Sequence, residues 1–276
     1  MSEGSIARPG KDVKQEGYWE FVKLVHDVEV RHRAAGGDVV ERDWKRGEVK
    51  EFSWRSQRNL LRAVYNAGCE FKAWICLTYP AEFPRDGVVV KGHLHELLDE
   101  VGKKVAGVEY LWCMEFQERG APHFHVLVSE WIPKLWLSRS WFRIVGSGDP
   151  KHLRAGTKVQ RVESREGAGQ DMASVLKRYS AKKAQKVVPE TFGRVGRFWG
   201  CSYGLVPKET VECTHEEGDR AWRVLRKLLE HRGVTVGQAR KGVQGGRQGY
   251  RVYGGAEVGV RVMDRFLGGA ESTDQG

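Results

Sequence analysis

Apolar and polar positions alternate along the chain in short runs that predict a mixture of helices and strands. In residues 18–31 the apolar side chains recur at helical spacing and charged side chains take the opposite side, which predicts an amphipathic helix. In residues 71–79 a run of β-favouring side chains, closed by Pro80, predicts a strand. The same patterns predict further helices over residues 53–67, 91–104, 132–145 and 216–231 and one that starts near Asp171, and further strands over residues 108–117, 123–129 and 158–162.

The order of these elements indicates an α+β fold with a largely antiparallel central sheet and flanking helices. The strands at 108–117 and 123–129 are joined by a short connection with Gly120 and Pro122, which is typical of a hairpin. We expect three regions along the chain, namely a flexible leader over residues 1–17, a main domain with N-terminal helices over 18–212, and a C-terminal helix with a basic, glycine-rich tail over 213–276, including a hairpin at 250–262.

The 276 residues carry a formal net charge of +10, which favours a polyanionic partner such as nucleic acid. The five cysteines are odd in number and form no CxxC pair, so we expect free thiols in a reducing cytoplasm rather than a disulfide framework. A zinc site of Cys201, Cys213 and His215 is disfavoured, because its spacing matches no ordinary zinc pattern. The sequence contains no apolar run of about 18 residues and no secretion signal, so we expect no membrane association and a cytoplasmic location, in a bacterial cell or a host.

The strongest chemical signal lies in the predicted hairpin. Side chains alternate faces in a strand, so His123 and His125 project from the same side, about 7 Å apart along the strand, and can share one divalent ion. Glu115 lies eight residues before His123, across the hairpin, so its carboxylate can reach the same ion. Gln117 is the reserve ligand on that face. A pair of surface histidines on a half-exposed strand is the alternative interpretation.

A second HxH triplet serves as a comparison for the first. His93 and His95 occur in a segment whose pattern predicts a helix. Positions two apart on a helix point in nearly opposite directions, so these two side chains cannot chelate one ion. We therefore expect this triplet to have no part in metal binding.

A candidate nucleophile lies in the predicted helix that starts near Asp171. Tyr179 continues the apolar face of this helix, with Lys182 and Lys183 three and four residues further on. A phenol has a pKa near 10, and a nearby ammonium and a metal ion both help it to react as phenolate. The alternative interpretation is a core tyrosine whose hydroxyl finds a partner, with the lysines in solvent.

Taken together, these segments resemble the motifs of HUH endonucleases, most closely the replication initiators of rolling-circle plasmids and filamentous phages. The resemblance covers residues 71–200 and rests on the His123-Phe124-His125 triplet, the facing Glu115, the Tyr-x-x-Lys helix downstream, the strand end Leu77-Thr78-Tyr79-Pro80 and the segment Gly196-Arg197-Phe198-Trp199-Gly200. A single tyrosine in the catalytic helix indicates the single-tyrosine type. The metal motif precedes the tyrosine, which argues against conjugative relaxases.

The resemblance implies a palm-like sheet similar to that of RRM domains, a Mg²⁺ or Mn²⁺ ion, and a covalent 5′-phosphotyrosine formed by nicking single-stranded DNA at a replication origin. It implies that Glu115, His123 and His125 bind the ion, that Tyr179 is the nucleophile and that Lys182 positions the phosphate or the metal-bound water. Lys183 and Lys186 are the predicted DNA contacts. Host helicase and polymerase are the expected protein partners, because the sequence contains no GxxxxGK[ST] loop of a fused helicase.

Two other functions remain open at this point. A single-tyrosine HUH transposase uses the same chemistry, although such proteins are usually more compact than this chain. A non-enzymatic, basic nucleic-acid-binding protein is the alternative from a different class. It would have no metal dependence and would leave Tyr179 and Glu115 unexplained.

Overall fold

The structure is a computed structural model that describes residues 17–33, 48–162, 186–231, 247–253 and 262. Its contacts divide the chain into two units, one of residues 44–205 and one that combines residues up to 43 with those from 206 onward. In chain order the elements are β1 (Tyr18–Lys23), β2 (Asp27–Arg33), α1 (Trp54–Tyr65), β3 (Ala73–Thr78), α2 (Gly87–Lys104), β4 (Tyr110–Phe116), β5 (Pro122–Val128), α3 (Lys134–Val145), α4 (Pro150–Ala155), β6 (Thr157–Arg161), β7 (Trp199–Cys201), β8 (Glu209–Thr214), α5 (His215–His231) and β9 (Arg247–Tyr253).

The unit of residues 44–205 is built on a five-stranded sheet in the order β6-β3-β5-β4-β7, and every described pairing in it is antiparallel. The hairpin β4–β5 occupies its middle, with Gly120 at a positive φ of 77° in the connecting turn. A residue other than glycine is strained at such a φ. The predicted α+β fold with a largely antiparallel sheet is confirmed, as is the predicted hairpin.

Helices α2 and α3 pack on one face of this sheet. Phe124 of β5 and Trp112 of β4 project from that face and contact each other, with ring centroids 6.2 Å apart. Phe124 also contacts Trp141 of α3, and Trp112 contacts His95 of α2. Because side chains alternate along a strand, His123 and His125 project from the opposite face of the sheet.

The helix ends follow local capping rules. The side chain of Asp86 accepts a hydrogen bond from the amide of Val88 and so begins α2, and Asp149 does the same for α4 with Lys151. Helix α3 ends at Gly146, whose backbone is left-handed with φ 66°. Most predicted helices and strands of this unit are therefore confirmed, while α4 and β7 were not predicted.

The other unit contains a four-stranded antiparallel sheet in the order β8-β1-β2-β9, with α5 packed against β1. The predicted helix over residues 18–31 is wrong, because this segment forms the hairpin β1–β2. Trp19 and Phe21 on β1 and Val28 and Val30 on β2 are buried together in one core. Valine pairs at strand spacing, and partner strands from much later in the chain, outweigh an apolar spacing that also fits a helix.

The pairing of β1 with β8 and of β2 with β9 joins segments that the predicted boundary between 18–212 and 213–276 separates. The N-terminal helices of the predicted main domain are consequently reduced to α1, and the smaller unit contains both ends of the described chain. The predicted helix over 216–231 is confirmed as α5, whereas β8 was not predicted. In the predicted hairpin over 250–262, residues 250–253 pair with β2, and residues 254–261 lie outside the described residues. The residues of the predicted leader other than Gly17 do so as well. Among the described helices, none is long and apolar enough to cross a membrane.

The first residue of α2 gives a test of the packing in the unit of residues 44–205. A Cβ added at Gly87 would lie 2.3 Å from the carbonyl oxygen of Arg194 and 2.6 Å from Cα of Val195. Since both are backbone atoms, we expect Gly87→Ala to lower the free energy of unfolding by about 1–3 kcal/mol. Gly102→Ala on the same helix meets nothing within 4 Å and should raise it by up to about 1 kcal/mol. Urea unfolding followed by circular dichroism measures both, and equal midpoints for the two variants would contradict the packing described.

Candidate metal centre

The two histidines of β5 lie in the middle of a row of polar side chains that crosses the sheet. His125 is directly opposite Cys76 of β3 and Cys113 of β4, and His123 is directly opposite Thr78 and Glu115. Residues that face each other across antiparallel strands share one face of the sheet. Register alone therefore brings the predicted ligands together, on the face opposite α2 and α3.

Three of these side chains approach each other closely enough to hold one ion. Cys76, His123 and His125 each offer one donor atom, and the three donor atoms lie within 4.8 Å of one another. Sγ of Cys76 is 3.3 Å from Nδ1 of His125, and the two imidazole rings meet edge to face with centroids 4.4 Å apart. This cluster, Cys76 with His123 and His125, is the candidate metal centre.

The predicted ligand Glu115 lies beside this cluster. Its carboxylate oxygen Oε2 is 3.5 Å from Nε2 of His125, and the side chain is buried. The reserve ligand Gln117 follows the end of β4, where its side-chain oxygen accepts a hydrogen bond from Nε of Arg119. His125 thus has a thiol on one ring nitrogen and a carboxylate on the other.

The surroundings of the two histidines give them opposite charge preferences. Burial, together with the charge of His125, lowers the pKa of His123 to about 3. Burial also acts to lower the pKa of His125, but hydrogen bonds with Cys76 and Glu115 outweigh it and raise that pKa to about 9. Burial acts to raise the pKa of the Cys76 thiol, and contacts with His125, Trp74 and Lys158 lower it overall. Without a metal ion, His125 is therefore the proton carrier of the cluster.

The strand ends around the cluster are fixed by side chains from other elements. The carbonyl of Thr78, at the end of β3, accepts hydrogen bonds from Nε1 of Trp141 at 2.7 Å and contacts Nε2 of His152 at 2.8 Å. Arg119, in the hairpin turn, donates to the carbonyls of Tyr79 and Pro80 at 2.7 Å. These bonds tie the hairpin to the neighbouring strand and hold the register on which the cluster depends.

Of the remaining predicted site residues, Tyr179, Lys182 and Lys183 lie outside the described residues, as does the helix predicted to start near Asp171. Lys186 is buried, and its ammonium donates to Oε1 of Gln57 on α1 at 2.8 Å. In this structure it supports α1, and its predicted DNA contact stays a prediction.

The second HxH triplet lies on α2, as predicted. His93 contacts the hydroxyl of Tyr79, with Nδ1 3.0 Å from the oxygen, whereas the ring of His95 packs against Trp112. The two side chains thus have separate surroundings within the described part of the chain.

Sequence reasoning missed Cys76, although a signal was present. Cys76 and Thr78 alternate with Ile75 and Leu77 in the predicted strand, so a thiol and a hydroxyl share its polar face. Only the strand order, with β3 next to β5, brings that face to the histidines. Two imidazoles, a thiol and a nearby carboxylate fit a borderline divalent ion such as Zn²⁺, Co²⁺ or Mn²⁺ better than Mg²⁺, which prefers oxygen ligands.

Residues 72–188 match the model of a family of replication-associated proteins of the ORF2 type. Among solved structures, the chain is similar to the N-terminal nuclease domain of non-structural protein 1 of minute virus of mice, whose description names a Zn²⁺ site in the active-site pocket and DNA recognition at the origin of replication. The two are 13% identical, the match covers 58% of this chain and 72% of that chain, and the TM-score is 0.19. The curated proteins gave no match. The resemblance to replication initiators is confirmed by the family match of this segment.

The contrast between two half-exposed thiols gives a test of the cluster. Burial and nearby carboxylates raise the pKa of Cys69 to about 11, whereas the pKa of Cys76 is lowered. Because the thiolate is the reactive form, we expect iodoacetamide at pH 7 to modify Cys76 at least about tenfold faster than Cys69 in metal-free protein. His125→Gln should slow the reaction at Cys76 alone. Peptide mass spectrometry over time measures both rates, and equal rates in the parent protein would contradict the thiolate–imidazolium contact.

Proposed function

We propose that this chain, whose residues 72–188 match the replication-associated protein family, nicks and rejoins single-stranded DNA at a rolling-circle origin. The observation that carries the proposal is the convergence of His123 and His125 with further donors on one open sheet face inside the matched segment. The predicted nucleophile Tyr179 belongs to the same segment of the sequence. The family match supports a role in replication, and the cluster supports phosphate chemistry.

The histidines would hold a divalent ion, with Glu115 next to His125. Such an ion, when bound, polarises a non-bridging oxygen of the scissile phosphate and so favours attack at phosphorus. The side chains of this chain prepare for that role by their burial. Because the pKa of His123 is about 3, its imidazole is neutral at physiological pH, as a ligand must be.

The proposed reaction is a transesterification. The phenol oxygen of Tyr179 loses its proton and bonds to phosphorus, while the bond from phosphorus to the 3′ oxygen of the preceding nucleotide breaks. The leaving oxygen takes up a proton and becomes a free 3′-OH, and the 5′ end stays joined to Tyr179. The number of phosphodiester bonds is unchanged, so the reverse step rejoins strands without ATP. Lys182 would steady the negative charge on the phosphate.

The net charge of +10 favours DNA as the substrate, because cationic side chains gain affinity by displacing counterions from phosphates. Lys183 and Lys186 are the proposed contacts in the sequence around Tyr179. The free 3′-OH would serve as a primer, so a host polymerase and helicase are the proposed partners at the origin.

Removing the hydroxyl of Tyr179 tests the nucleophile. We expect Tyr179→Phe to abolish the covalent adduct while DNA affinity stays within about twofold, because the substitution deletes the reacting oxygen and few packing contacts. Tyr203→Phe is the matched control, since Tyr203 is fully exposed in a turn of the described chain. The assay detects a denaturant-resistant complex with labelled single-stranded DNA from the replicon that encodes the protein. Adduct formed by Tyr179→Phe would assign the nucleophile elsewhere, and no adduct with the parent protein would refute the proposed function.

Exchanging the histidines tests the metal centre. We expect His123→Ala and His125→Ala each to lower the nicking rate by at least about 100-fold, the scale on which loss of one stabilising group in an active site acts. The double variant His93→Ala with His95→Ala should nick at the parent rate, because these side chains lie on α2 away from the cluster. Single-turnover nicking in the presence of Mn²⁺ measures the rates. Loss of nicking in a stably folded double variant would mean that the other pair of histidines is the functional one.

A further inference from the structure

We propose that Cys76 is a metal ligand together with His123 and His125, that Glu115 positions His125 instead of binding the ion, and that the centre therefore prefers Zn²⁺ or Co²⁺ to Mg²⁺. The inference deepens the proposed function, since it concerns the metal centre of that reaction. It differs from the expectation formed from the sequence, in which Glu115 is the third ligand.

The distances fit a shared ion. Zinc binds a thiolate sulfur at about 2.3 Å and an imidazole nitrogen at about 2.0–2.1 Å, so two such ligands in a tetrahedral site are about 3.5 Å apart. Sγ of Cys76 and Nδ1 of His125 are 3.3 Å apart, and the donor atom of His123 lies within 4.8 Å of both. Modest side-chain rotations suffice to bring the three donors to one ion.

The environment of Cys76 suits a thiolate. The indole Nε1 of the buried Trp74 donates a hydrogen bond to Sγ at 3.1 Å, which stabilises negative charge on the sulfur. Lys158 of β6 lies directly opposite Cys76, and its positive charge favours the thiolate. These contacts persist when the thiol proton is lost, as it must be for metal binding.

Glu115 occupies the place of a positioning residue. Metal-binding histidines commonly donate their second ring N–H to a carboxylate, which fixes the tautomer and the orientation of the ring. Nε2 of His125 faces Glu115 at 3.5 Å while Nδ1 faces Cys76. One ion binds one of these nitrogens, so a ligand on the Nδ1 side leaves the carboxylate to orient the ring.

This ligand set determines which metals fit. One sulfur and two nitrogens suit a thiophilic or borderline ion in a four-coordinate site, and Mg²⁺ takes oxygen ligands in a near-ideal octahedron. Three protein ligands leave a fourth position for a phosphate oxygen, as in catalytic zinc sites. The proposed reaction needs that open position.

Cobalt spectroscopy on the full chain tests the ligand directly. We expect metal-free protein titrated with Co²⁺ to develop the near-ultraviolet sulfur-to-cobalt charge-transfer band, and Cys76→Ser to lose it. Cys201→Ser is the matched control and should keep the band, because Cys201 is an exposed cysteine of β7. In zinc competition, Cys76→Ser should bind at least about 100-fold more weakly, since loss of a positioning partner alone costs 10–100-fold. Glu115→Gln should keep the band and weaken zinc binding by no more than about 100-fold.

X-ray absorption on the zinc-loaded parent protein provides a measurement that needs no variant, and we expect one sulfur neighbour at about 2.3 Å. Bound cobalt without the charge-transfer band, an unchanged band in Cys76→Ser, or a zinc shell without sulfur would overturn the proposal. The proposed nicking function is tested separately, because Tyr179→Phe should show the full cobalt spectrum and form no DNA adduct. A parent protein with the band but without nicking would support the ligand set and refute the function.

Discussion

The antiparallel register of β3, β5 and β4 is the constraint on which the candidate site depends. It places Cys76 and Thr78 on one side of the two histidines and Cys113 and Glu115 on the other. A shift of either neighbour by one residue would turn its polar side chains to the opposite face. The hydrogen bonds that Arg119 and Trp141 make to the strand end at 78–80 hold this register. The chemistry of the site is thus a consequence of strand pairing.

The two faces of the same sheet have different tasks. Phe124 and Trp112 contact Trp141 and His95 from α3 and α2, and this packing anchors the sheet. The opposite face is then left for polar groups. Its row of donors is partly buried, which excludes water while leaving the imidazoles accessible enough to meet a ligand. A substitution that loosens the helical face would therefore affect the site through the position of the strands.

The part of this arrangement that local pattern determines could be predicted from the sequence. A tight connection with Gly120 and Pro122 predicted the hairpin, and the period of two predicted that His123, His125 and Glu115 share a face. Which strand lies next to β5 depends on long-range pairing that no local pattern records, so Cys76 was missed. The same limit explains the error at residues 18–31, whose strand partners are residues 209–214 and 247–253.

The electrostatics of the cluster explain why these groups can be buried together. A thiolate and a carboxylate on the two sides of one imidazole need positive charge between them, because unpaired buried charge is costly. In the metal-free protein the proton on His125 supplies it, which is why contacts with Cys76 and Glu115 raise the pKa of His125 against the effect of burial. A divalent cation bound at the same nitrogen would displace that proton and supply more positive charge. His123, with its pKa lowered to about 3, adds a neutral donor and no competing charge. The ionisation pattern of the metal-free site is thus already the one that a cation requires.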